Sequence, residues 1–166
     1  AEGRKVMVLC TEIKHMLLLY ELFREASINC DYMGGGKTTY EDEKGRVLIG
    51  IDKCCGRGFD QESGCTGWTE EMGRIDTVFI VDFINNDEDR MQWMGRGLRT
   101  SAGVTPLIVH LVDDNNTTRN QWVNAERMYK HLKGNIKAFE IGVRLPRERP
   151  QQDHEEIGAG GEWDDG

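Results

Sequence analysis

Gln92-Trp93-Met94-Gly95-Arg96-Gly97-Leu98-Arg99 sets two guanidiniums three positions apart behind a glycine. On a helix, positions i and i+3 share a face, so Arg96 and Arg99 point toward one anion. Gln92, four residues before Arg96, falls on the same stripe. Arginine stays charged at any physiological pH, and its planar fork matches phosphate oxygens. Two such forks on one short helix suit a polyphosphate that accumulates charge during cleavage. Read alone, the octet is equally a solvated basic helix end, because arginine is common in the last turn of a helix.

The residues upstream favour the first reading. Val47-Leu48-Ile49-Gly50-Ile51-Asp52 is a short apolar run, and Lys53-Cys54-Cys55-Gly56-Arg57-Gly58-Phe59-Asp60 follows it. The order is strand, small-residue turn, then Gly-aromatic-Asp, and the Gln-Gly-Arg-Arg helix comes after one more strand. With the opening strand Lys5-Val6-Met7-Val8-Leu9-Cys10-Thr11, this order resembles the C-terminal RecA-like lobe of superfamily 2 helicases and translocases. The opening strand is similar to that family's motif IV, residues 47–60 to motif V, and residues 92–99 to motif VI in its Q-x-x-G-R-x-x-R form. The resemblance covers about residues 4–134.

The resemblance implies a RecA-like α/β fold, doubly wound, with a mainly parallel sheet flanked by helices. It implies roles as well. Arg96 and Arg99 are the catalytic candidates, acting on ATP with Mg2+ that an N-terminal RecA-like lobe holds. Gln92, Gly58 and Asp60 lie on the nucleotide side. Thr11, Gly35, Lys37, Thr38 and Lys53 are the candidates for contact with DNA or RNA. The divergent loops resemble those of helicases from large DNA viruses, and the expected setting is intracellular, nuclear or cytoplasmic.

Periodicity gives the same architecture independently. Apolar runs at 5–10, 28–32, 47–51, 77–81 and 106–112 read as buried strands, and residues 137–143 as an edge strand. Helical spacing is read at 12–26, 88–98 and 117–132. Thr11 is expected to cap the first helix, and the apolar stripe through Ile13, Met16, Leu17, Tyr20 and Phe23, widened by Leu18, Leu19 and Leu22, to cover a sheet. Alternation of strands with helices argues for a doubly wound layer. Residues 1–143 form the lobe in this reading. Residues 144–166, rich in Pro, Gly, Gln and acid, form an exposed tail.

Two stretches depart from the family pattern. Residues 33–46 leave no room for a crossover helix of normal length, and residues 61–76 make a longer loop than usual. That loop carries Trp68, which reads equally as a contact surface or as a satellite of the core. The motif V stretch also holds one residue more than the common form.

Composition excludes several alternatives. At 166 residues with 38% hydrophobic and 30% charged side chains, the chain is one ordinary globular domain. No apolar run approaches a membrane span. The net charge is −8; the tail contributes three arginines against seven acids, so an acidic body remains. Such a body disfavours strong autonomous binding to nucleic acid, which needs clustered cations. Five cysteines without a C-x-x-C pair read as free thiols, and no metal site is expected.

Gly34-Gly35-Gly36-Lys37-Thr38-Thr39 invites a P-loop reading. That motif, G-x-x-x-x-G-K-S/T, would need glycine at position 31, where Asp31 would repel phosphate. The chain therefore lacks a P-loop and an Asp-Glu magnesium motif of its own, and no ATPase activity is expected from the isolated lobe. It starts at Ala1 without methionine, so an N-terminal lobe is expected in the same polypeptide or a partner chain. The rival reading is a non-catalytic, helicase-like interaction module that docks through the 61–76 loop and the tail.

Overall fold

Each apolar run becomes a strand because both faces of the sheet are covered, so no polar alternation is required. In the computed structural model, β1 (Val6–Cys10), β2 (Cys30–Met33), β3 (Val47–Ile51), β4 (Thr77–Ile80) and β5 (Leu107–His110) form one sheet. Its order is β2-β3-β1-β4-β5, and every pairing is parallel. The helices are α1 (Ile13–Glu25), α2 (Gln61–Gly64), α3 (Asp87–Gly97) and α4 (Asn116–His131). The structure describes residues 3–41, 46–56, 59–82, 87–97 and 103–141, with backbone alone at 96 and 97. The chain divides into two units, Ala1–Ile136 and Lys137–Gly166. The first holds the whole sheet. In the second, residues 137–141, expected as an edge strand, carry no strand.

Strand periodicity separates two cores. Met7, Leu9, Leu48, Val78 and Ile80 face one side and pack with Trp93 of α3. Val8, Cys10, Ile49 and Ile51 face the other and pack with Met16 of α1. A third cluster joins Met94 of α3 to Ala125 and Tyr129 of α4. The broad stripe expected of α1 is only partly used. Met16 is buried, with Leu19, Tyr20 and Phe23 packed beside it, whereas Ile13, Leu17, Leu18 and Leu22 are exposed. A second correction concerns Thr11. Position 12, not Thr11, is the N-cap of α1 and makes no side-chain capping bond; Thr11 bonds to Asp82 instead. At α4 the cap is Asn115, whose side chain accepts from Thr118 N–H.

The two unusual stretches, residues 33–46 and 61–76, meet in space. Neighbouring parallel strands need a crossover of about a dozen residues, usually helical. Between β2 and β3 the described residues hold no helix; a tight turn spans Gly34–Lys37 instead. The long loop after β3 then covers the face that a crossover helix would have covered. Tyr40 N–H donates to Gly64 C=O at 2.9 Å and Thr66 N–H to Tyr40 C=O at 2.8 Å, forming a short bridge between the two segments. Tyr40, Phe59, Cys65 and Ile75 are buried there together. Gln61 holds the loop from inside, donating to Gly73 C=O at 3.1 Å and accepting from Ile75 N–H at 2.9 Å. Trp68 packs half-buried against this core under the Arg74 guanidinium, 5.2 Å from its ring.

The stretch expected to hold one residue more than the common form begins with an unusual turn. Residues Asp52–Gly56 form a single π-helical turn directly after β3. A π turn closes over five residues rather than four, which is the room that one inserted residue needs.

Candidate functional site

Parallel sheets bind ligands beyond the carboxyl ends of their strands, at the point where the connections diverge. Here the connection from β1 runs through α1 toward β2, and that from β4 runs through α3 toward β5. α1 and α3 lie on opposite faces. The divergence therefore falls between the carboxyl ends of β1 and β4.

The sequence-derived nucleic-acid candidates collect along the same edge. Thr11 follows β1, Gly35, Lys37 and Thr38 follow β2, and Lys53 follows β3, and these three strands are neighbours. Thr11, Gly35, Thr38 and Lys53 are exposed. Gly35 and Gly36 have φ of +61° and +98°, so the turn they form requires glycine at both central positions. Reciprocal bonds close it, Gly34 N–H to Lys37 C=O at 2.9 Å and Lys37 N–H to Gly34 C=O at 3.1 Å. This is a hairpin-like turn, and residues 38–41 after it are not helical.

Lys37 does not extend from this turn into solvent. Its ammonium is paired with Asp31 and lies 4.7 Å from the centre of the Tyr32 ring. Asp31 is buried, which pushes its carboxyl up. Hydrogen bonds from Lys37 and from the N–H groups of Glu41 and Tyr32 outweigh that and hold it below the ordinary carboxylate range. The residue that disqualified the P-loop reading is thus the partner that fixes Lys37.

Thr11 is also committed. Its backbone N–H donates to Asp82 Oδ2 at 2.6 Å and its hydroxyl to the same oxygen at 3.0 Å. The other carboxylate oxygen, Oδ1, lies 2.7 Å from His15 Nδ1. Asp82 follows β4 and His15 lies in the first turn of α1, so the triad spans the divergence point. Cys10 lies directly beneath; it is fully buried, and burial, then the Asp82 carboxylate, push its thiol pKa up to about 12.

Beside the triad a cavity of about 300 Å³ opens between α1 and α4 over the ends of β4 and β5. His15, Leu19, Asp82, His110, Asp113 and Thr118 line it. On its far wall His110 Nδ1 is 3.1 Å from the Tyr129 hydroxyl. Burial, then the nearby Arg90 charge, lower the His110 pKa to about 4, while burial raises that of Tyr129 to about 12. At neutral pH the imidazole is therefore neutral and the phenol protonated, and the tautomer of His110 sets which of the two donates. An unfolded chain, with histidine near its ordinary 6.5, binds more protons than the folded one between pH 6.5 and 4. The contribution of His110 to stability is thus complete above pH 6.5 and is lost as pH falls toward 4, by on the order of 3 kcal/mol. Urea denaturation across that range is expected to show the loss, and His110→Phe to flatten it. A slope unchanged by the substitution would refute this account.

Of the nucleotide-side candidates, Gln92 and Asp60 lie within the described residues. Gln92 is half-buried on α3. Position 96 lies one turn further along the same helix, so the expected stripe is continuous in the backbone. The Arg96 side chain, Arg99 and Gly58 lie outside the described residues. Asp60 occupies the N-cap position of α2 but makes no side-chain capping bond. Trp93 is buried in the core, and α3 packs against both β4 and the 52–56 turn. That turn therefore links Lys53 at the strand ends to the helix that carries the arginine motif.

Sequence reasoning assigned no chemistry to His15, His110 or Asp82. The histidines are scattered along the chain, and His15 and Asp82 are 67 residues apart. The one local signal was Asp82 itself, the acid that interrupts an apolar run at a strand end.

No protein-family model matches the chain. It is similar to the uncharacterized protein 108L of Invertebrate iridescent virus 3, with 28% identity over 102 residues, 61% of this chain and 84% of the viral protein. Among solved structures it is similar to the C-terminal part of the Fun30 ATPase domain, with a TM-score of 0.57 and 16% identity over 74% of this chain. The chain spans 39% of the length of that structure. The likeness is one of fold, and with the all-parallel sheet between helices it makes this a RecA-like α/β domain. Among the described residues no helix is long and apolar enough to cross a membrane.

Proposed function

We propose that this chain is the C-terminal lobe of an ATP-dependent nucleic-acid helicase or translocase. The observation that carries the reading is the seating of Gln92 and position 96 on one helix that follows β4 and packs on the motif V turn. The fold likeness to the C-terminal part of an ATPase domain supports it. In this reading Arg96 and Arg99 reach the γ-phosphate of an ATP whose Mg2+ and P-loop belong to an N-terminal RecA-like lobe. Gln92, Gly58 and Asp60 line the nucleotide side. The exposed strand-end edge, with Thr11, Gly35, Thr38 and Lys53, follows the nucleic-acid backbone, and Lys37, already neutralised by Asp31, shapes that edge more than it charges it. The likeness to an iridescent virus protein supports a viral source.

Chemically, ATP would supply the phosphoryl group and magnesium the charge compensation, while this lobe supplies transition-state donors only. The isolated chain is therefore expected to give no ATP turnover above background, with or without DNA or RNA. Turnover that depends on Lys37, read by phosphate release, would instead establish an autonomous site and overturn the division of labour. The second reading, a docking module, is favoured by the compact 61–76 loop, which presents a built surface around Trp68 and Arg74. Retention of Arg96 and Arg99, which docking does not require, weighs against it.

A further inference from the structure

We propose that Cys10, His15 and Asp82 form a binding site for a zinc-class divalent transition metal at the divergence point of the sheet, with its fourth position open to the adjoining cavity. The three come from different elements, the end of β1, the first turn of α1 and the exit of β4, and they offer sulfur, nitrogen and oxygen. One ligand atom from each lies within 4.8 Å of the other two. Around zinc, bonds are about 2.3 Å to sulfur and 2.0–2.2 Å to nitrogen or oxygen. Closing on an ion therefore asks for shifts of about an ångström or less, within reach of side-chain rotation.

The surroundings are those of a supported site. Thr11 holds Asp82 through Oδ2 with two donors, at 2.6 and 3.0 Å, and so presents Oδ1 toward His15. Such outer contacts orient a metal-ligating carboxylate. Cys10 is fixed at a strand end and completely buried, whereas His15 and Asp82 also line the cavity of about 300 Å³, which has room for a water or a ligand donor as fourth partner. A thiol in the set selects zinc, cobalt or ferrous iron over magnesium and calcium, which prefer oxygen alone. On binding, the metal–sulfur bond replaces the S–H bond and the thiol proton leaves to solvent. The imidazole ligates through Nδ1, which gives up its hydrogen bond to Asp82 Oδ1, and the ring proton is then carried on Nε2. No electron transfer is involved.

The site is independent of the ATPase reading, and its test uses the metal alone. The full chain, stripped with a chelator and titrated with Co2+, is expected to bind one ion per chain. It should develop a near-ultraviolet thiolate-to-cobalt charge-transfer band together with visible bands of tetrahedral intensity, both displaced by Zn2+. Cys10→Ser should abolish the charge-transfer band, and His15→Gln, at a half-exposed position, should weaken binding without unfolding the chain. Thr11→Val, which removes a donor to Asp82 but no ligand, should cost about ten- to a hundredfold in affinity. Absence of the band in the folded wild-type chain overturns the proposal. So does a band that survives His15→Gln at full affinity, or one that Cys54→Ser removes.

Discussion

In a protein that pairs this chain with its P-loop lobe, Arg99→Ala is expected to lower ATP turnover by about 10³–10⁵-fold while leaving ATP affinity largely unchanged. The asymmetry follows from where the charge develops. In the ground state the P-loop and magnesium already hold the triphosphate, so a guanidinium from the second lobe adds little to binding. In the transition state, charge spreads over the transferred phosphoryl oxygens, and a preorganised donor in a dry cleft gains its full electrostatic value. Arg99→Lys should recover little, since a flexible point charge does not reproduce the planar fork. Arg96→Ala should behave alike, because the proposed reading aims both guanidiniums at the same phosphate. Measured kcat and nucleotide dissociation constants check both halves. If the Arg99→Ala protein turns over at the wild-type rate, the docking-module reading takes the place of the enzyme.

Gly50→Ala is expected to destabilise the fold by about 3 kcal/mol, at the upper end for overpacking a close-packed core. A Cβ at position 50 would stand 2.2 Å from Cys55 Sγ and 2.9 Å from Cys55 Cβ. Cys55 is completely buried, so it has no free space to retreat into. The π-helical turn Asp52–Gly56 would have to lift from the sheet. Because α3 packs on that turn, the displacement should reach the arginine helix as well as Lys53, and turnover should fall with stability. A shift of the urea midpoint measures the first effect. Adding Cys55→Gly removes both contacts and should restore part of the loss. Equal midpoints for Gly50→Ala and wild type would show that the turn does not rest on Gly50.

The helix at 92–97 and the strand at 47–51 were legible because their signals are local. Residues 92–97 are helical, and 47–51 is strand at the bounds that its apolar run implied. That the described residues between β2 and β3 hold no helix was in keeping with the glycine and charge content of residues 33–46. That the 61–76 loop meets this segment was not legible. The bridge between Tyr40 and Cys65 joins segments that carry no shared pattern. Thr11 shows the same limit in reverse. As a hydroxyl before a helix it reads as a cap, yet the helix begins one residue later, with position 12 as its N-cap. Thr11 instead donates to Asp82, which follows β4, and the charged acceptor strengthens both bonds.

By itself the sequence determined neither α2 nor the absence of strand at 137–141, but it determined the five strands of the sheet, the three long helices and their alternation. These depend on burial periodicity, which is written within a few residues of each position. The tertiary structure alone decided that β3 lies between β2 and β1 and that β1 and β4 meet. From that order follow the pairing of Thr11, His15 and Asp82 and the cavity beside them. Contacts across 67 residues arise from the path of the chain through space, and no local spacing encodes that path.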